Sequence, residues 1–173
     1  MEIITGERIT ELDEKVLKPK PDKSNLTLFS GNVFRANPYT SVVGIEVAEI
    51  VGHMFMLPIT DEAYYLLRDG KYVLEERDLG KDITSLNSDV KECRLFIVNA
   101  YLHPDHRTPV NVRKIARATI GLFDNIKNMG VRIKSIMSNA HNDRGVRIST
   151  YVGLKYSHDL PDGTKIMEVV FDQ

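Results

Sequence analysis

The run from Cys93 to Tyr156 constrains the fold more than any other part of this chain, because its polarity pattern fixes an order of elements: strand, charged turn, long helix, strand, short helix, strand. CRLFIVNAYL, 93 to 102, is apolar enough for a strand buried on both faces, and HPDHRTP, 103 to 109, breaks it with two prolines and several charges. Val112, Ile115, Ala116, Leu122, Phe123, Ile126 and Met129 then recur at helical spacing, so VNVRKIARATIGLFDNIKNMG reads as one helix ended by Gly130. Thr108 and Pro109 suit its cap and first turn. The helix start thus meets the end of the preceding strand, and the unpaired N–H groups and partial positive charge there make a natural anion site.

The rest of the chain is consistent with a single domain over 1–173, since 42% hydrophobic and 27% charged residues can bury a good core without disulfides or metals. Residues 8–17 and 24–36 read as helices of an N-terminal cap spanning 1–41. YTSVVGIEVAEI and VGHMFMLP read as two strands around a turn, and Thr60 caps the helix DEAYYLLRDG. Residues 71–92 read as a loop with a short helix, and GLKYSH and TKIMEVVFD as strands joined by the turn DLPDG. One cysteine, an acidic N-terminus without a signal pattern and no apolar run near ~20 residues favour a cytoplasmic protein with no membrane partner.

Charge is unevenly placed. Residues 107–147 carry nine basic groups against Asp124 and Asp143, whereas residues 1–106 carry 12 basic and 18 acidic. That asymmetry suits an anionic ligand in the second half and a cationic one in the first, while bases without interleaved aromatics speak against nucleic acid.

Segments 93–158 resemble the acyl-CoA binding half of the GNAT superfamily of N-acetyltransferases. YLHPDHR is similar to the end of that family's fourth strand and the start of its pyrophosphate loop, with Arg107 in first position; Asn142 and DRGVRISTYVGLKY are similar to its later Asn, short helix and Gly-Phe strand. IVGHMFMLPITDEAYYLLRDG, 50 to 70, resembles a stretch found in a subset of these proteins. The resemblance implies an α/β (α+β) fold with a mixed, mostly antiparallel twisted sheet and helices on both faces. It implies acetyl-CoA as co-substrate, an amine or peptide amine as acceptor, and a homodimer as a candidate assembly. It places the cofactor on Leu102, whose backbone N–H would polarise the thioester, and on Arg107, Thr108, Pro109, Val110, Asn111, Val112 and Asn142.

The chain also departs from the family. Val110 and Val112 stand where the family loop has glycines, and their Cβ atoms narrow the approach to a pyrophosphate. Ser149 stands where the family often has a general-acid Tyr, and Tyr151, two residues off on another helical face, is not expected to take over that role. A lysine-like ammonium must lose a proton before it attacks, at about 4 kcal/mol near neutral pH. LFIVNAYL offers no carboxylate for this, only Asn99 and Tyr101, so the remaining polar candidates are His53, Glu46 and Glu49, the last two also reading as solvated strand-edge or turn carboxylates. His53 alternates with Phe55 and so faces either solvent or a substrate cleft; Tyr101 is either a proton donor or a packed aromatic. Asn142 is either a pantetheine contact or a plain helix cap. His103 and His106 lie in a proline turn without a third ligand, so no metal is expected. Two functions fit: an acetyl-CoA dependent N-acyltransferase, or a catalytically degenerate binding module on the same fold.

Overall fold

The computed structural model describes residues 42–46, 50–72, 79–87 and 89–171. The two helices expected at 8–17 and 24–36, and Glu49, lie outside them. A hairpin of β1 (Val42–Glu46) and β2 (Ile50–Ile59) leads into α1 (Asp61–Arg68). Thr60 caps α1, its hydroxyl accepting from the Ala63 N–H at 3.2 Å. A one-turn helix α2 (Leu79–Asp82) follows, then β3 (Glu92–Leu102), a 3-10 turn at Pro104–His106, α3 (Pro109–Asn128) and β4 (Arg132–Ala140). The chain closes with α4 (Asp143–Tyr151), β5 (Lys155–Asp159) and β6 (Lys165–Val170).

The strands form one sheet in the order β1-β2-β3-β4-β6-β5. Every neighbouring pair is antiparallel except β3 and β4. Parallel neighbours need a long crossover, and α3 supplies it. Its buried stripe, Ile115, Ala116, Thr119, Leu122, Phe123 and Ile126, packs on a sheet face formed by residues such as Met54, Leu95 and Ile136. Met129 does not belong to that stripe: it is the C-cap, where the chain leaves the helix for Gly130 at φ 80°, and its side chain is exposed. α4 lies on the same side and comes so close to β4 that a Cβ on Gly145 would stand 3.2 Å from the Ala140 Cβ.

α1 covers the opposite face, burying Ala63 and Tyr64 against Phe55, Leu57, Met137 and Ile166. Helices therefore flank the sheet on both sides. The α1 face also holds a polar seam. Arg94 is buried and donates to Asp61 (2.8 Å), Ser135 (2.9 Å) and the Tyr65 hydroxyl (3.2 Å), with its guanidinium 4.5 Å from the centre of the Tyr64 ring. Among the described residues, no helix is long and apolar enough to cross a membrane.

Candidate functional site

The parallel pair β3 and β4 separates before either strand ends. Their last paired residues are Ile97 and Ser138, yet β3 runs on to Leu102, paired only with β2, and β4 runs on to Ala140, paired only with β6. A wedge opens between them, lined on both sides by strand edges that face no partner strand among the described residues. A bulge sharpens it: Phe55 opposes Asn99 and Met56 opposes Ile97, leaving Val98 looped out. The extra residue puts Ala100 and Leu102 on the same face as Leu95 and Ile97, toward α3.

On that face the wedge widens into an apolar trough under the first turns of α3. Met54, Ala100, Leu102, Val112, Ile115 and Ala116 line it from sheet and α3, and Ile148 and Tyr151 from α4. Gly52 lets this corner close up, since a Cβ there would stand 2.7 Å from Leu102 Cδ1 and 2.9 Å from the Tyr101 carbonyl oxygen. The His103 N–H turns to the Val51 carbonyl at 2.7 Å. Successive strand amides point to opposite edges, so the N–H of Leu102, one residue earlier, is directed away from β2 and across the wedge. Consistent with this, the Leu102 carbonyl accepts from Arg107 Nε at 2.8 Å rather than from β2.

His53 and Tyr101 are partners in register on β2 and β3, with ring centres 5.9 Å apart and planes tilted by 39°. Alternation with Met54 and Leu102 sets both on the face opposite the trough. His53 is fully buried, so of the two orientations open to it the solvent-facing one is excluded.

The turn after β3 is held by its own groups. Thr108 caps α3, its hydroxyl accepting from the Asn111 N–H at 3.2 Å, and Pro109 takes the first helical position. The Asn111 side-chain amide donates to the His106 carbonyl at 2.9 Å. Val110 is exposed at the helix start, and Val112 is half-buried in the trough wall. Asn142 is the N-cap of α4, with Oδ1 accepting from the Arg144 N–H (3.1 Å) and the Gly145 N–H (3.0 Å). Its side-chain oxygen is therefore committed to the cap.

Two features were not legible beforehand. Ser149 is buried with its hydroxyl 2.7 Å from that of Ser138, whereas Tyr151, on the other face of α4, borders the trough. The helical phase was readable, but which face of α4 meets the trough depends on the crossing with α3. Asn139, beside the last rung of the β3/β4 ladder, has a buried Oδ1 without a hydrogen-bond partner among the described residues; its only sequence signal is its place at the end of a strand.

No known family and no curated protein matches the chain in sequence. Solved structures do match it in shape. The GNAT domain of S. lividans PAT aligns at a TM-score of 0.58 and 12% identity, over 97% of this chain and 88% of that one. Ard1 from Thermoplasma volcanium aligns at 0.58 and 12%, over 99% and 97%. The aminoglycoside acetyltransferase AAC(6')-Ib, solved in complex with coenzyme A and kanamycin, aligns at 0.54 and 16%, over 98% and 92%. With the separated parallel pair, the single crossover helix and helices on both sheet faces, this chain has the fold of the GNAT acetyltransferases.

Proposed function

We propose that the chain is an acyl-CoA dependent N-acyltransferase, with acetyl-CoA as donor and an amine, small or peptidic, as acceptor. The observation that carries this is the wedge between β3 and β4 opening onto an apolar trough. An extended arm with two amides and an apolar middle, as in pantetheine, matches in chemistry two strand edges that flank an apolar floor. Neighbours of the same fold were solved with coenzyme A bound, which supports the same donor here.

The donor supplies an activated acyl carbon; the chain supplies position and charge. The Leu102 N–H is aimed across the wedge, where it can polarise a thioester carbonyl. Arg107 fixes that strand end by holding the Leu102 carbonyl. Residues 107–112 and Asn142 flank the ends of the arm, Thr108 and Asn142 through the helix starts they cap. In the transfer a C–N bond forms as the C–S bond breaks, the amine gives up a proton, and the leaving sulfur gains one. In this reading His53, across the sheet from the trough, takes the amine proton, and Tyr101 beside it acts as a proton donor. Tyr151 borders the trough, and in this reading its hydroxyl donates to sulfur, against the expectation from its helical phase. Reduction to a binding module is the second reading, favoured by a serine, already bonded to Ser138, at the position of the family's Tyr.

Calorimetric titration with acetyl-CoA, followed by a thiol-release assay over a panel of amines, tests the proposal. Binding together with amine-dependent release is expected. Binding without release for any amine would move the assignment to a non-catalytic module, and no binding would remove the donor.

A further inference from the structure

Resting on the donor reading above, we propose that the chain selects its donor by the acyl-pantetheine arm and is nearly indifferent to the nucleotide diphosphate beyond it. A helix start attracts a diphosphate through its unsatisfied N–H groups. At α3 these are largely spent. The Thr108 N–H goes to the His106 carbonyl (2.8 Å), Pro109 has none, the Asn111 N–H goes to the Thr108 hydroxyl (3.2 Å), and the Val112 N–H goes to the Thr108 carbonyl (3.0 Å). Among the described residues this leaves the Val110 N–H as the one without a partner at the start of α3. Of the side chains that would assist, Asn111 has its amide on the His106 carbonyl, and Arg107 has Nε on the Leu102 carbonyl, so that the rest of its exposed guanidinium adds a screened attraction.

A diphosphate laid on this turn would meet one free amide, and would have to displace the Thr108 cap to gain a second. The branched side chain of Val110, 58% exposed at the same spot, keeps it further from the backbone. Arg113, Lys114 and Arg117 are exposed on α3 and give the nucleotide only a screened attraction, which salt removes. At the wedge the Leu102 carbonyl is held by Arg107 Nε, while the Leu102 N–H is directed across the opening and the trough is lined by apolar side chains and Tyr151. The ligand chemistry is thus an acyl-pantetheine thioester, whose source is either free acyl-CoA or the phosphopantetheine arm of a carrier protein.

Three donors distinguish the cases when titrated against the intact chain at about 0.3 M salt, where exposed charges are screened: acetyl-CoA, acetyl-pantetheine, and an acetylated phosphopantetheine carrier protein. Acetyl-CoA and acetyl-pantetheine are expected to bind within about 30-fold of each other, the order that a single charge-assisted hydrogen bond to a diphosphate is worth. Tighter binding of the carrier-borne thioester would identify a protein-borne source, and equal binding a free thioester; both outcomes keep the inference. Acetyl-CoA binding more than about 30-fold tighter than acetyl-pantetheine would overturn it and leave the donor reading intact. Failure of all three to bind would remove both.

Discussion

The hydroxyls of Ser138 and Ser149 lie 2.7 Å apart in the buried seam between β4 and α4. Each satisfies the other where neither meets water, so removing one strands its partner. Ser149→Ala or Ser138→Ala alone should destabilise the fold by about 1 to 3 kcal/mol, and the double alanine variant by clearly less than the sum. Strict additivity in urea unfolding would show that the pair contributes no coupling. Because this bond turns Ser149 into the seam, Ser149→Ala should change turnover little beyond its effect on stability.

Gly52 sets how closely α3 approaches the end of β3. Added Cβ atoms would meet Leu102 at 2.7 Å, the Tyr101 backbone oxygen at 2.9 Å and Ile115 Cδ1 at 3.1 Å. The side chains can turn aside, but the backbone oxygen cannot move without shifting β3. Gly52→Ala should therefore cost about 1 to 3 kcal/mol in chemical denaturation. A variant with the parent's midpoint would mean that the corner relaxes freely.

Glu168 makes the acid limit of stability testable. Burial pushes its carboxyl pKa up, but hydrogen bonds from Arg68, Tyr64 and Ser157 outweigh this and hold it below its ordinary 4.5. Burial, reinforced by Glu168 itself, raises the Tyr64 hydroxyl to about 12, so Tyr64 stays a donor throughout. A carboxylate with a depressed folded pKa stabilises fully above its unfolded value, and that stabilisation is lost as pH falls through the folded value. Glu168→Gln should accordingly flatten the loss of stability between about pH 5 and about pH 3. Some slope should remain, because hydrogen bonding to Lys134 and Arg94 also holds Asp61 low. Parallel stability curves for parent and variant over that range would sink the assignment.

How much of this could be read from residues alone follows from the range of the forces involved. Thr60, Thr108 and Asn142 cap the helices they precede, because capping is decided within three residues. The stripe from Ile115 to Ile126 was legible for the same reason, being a helical period. The bulge at Val98, the burial of His53 and the choice between Ser149 and Tyr151 were not, since each depends on what a neighbouring strand or helix presents. Loop amides were half legible. Glycines replaced by valines were plain in the sequence, but that Thr108, Pro109 and Arg107 together occupy the turn required the geometry.

The roles of Tyr151, His53 and Tyr101 can be separated by what each substitution does to turnover. Tyr101→Phe or His53→Ala should lower the rate by about 10- to 1000-fold if the residue is the proton-transfer group, and should alter the rise of rate with pH. Tyr151→Phe should instead act at the leaving sulfur. A thiol of low pKa departs without a proton donor, so the defect of Tyr151→Phe, about 10- to 100-fold with acetyl-CoA, should shrink toward unity with an acetyl thioester of an aryl thiol. Equal defects with both donors would mean that the Tyr151 ring only packs against the trough and that the sulfur is protonated by water.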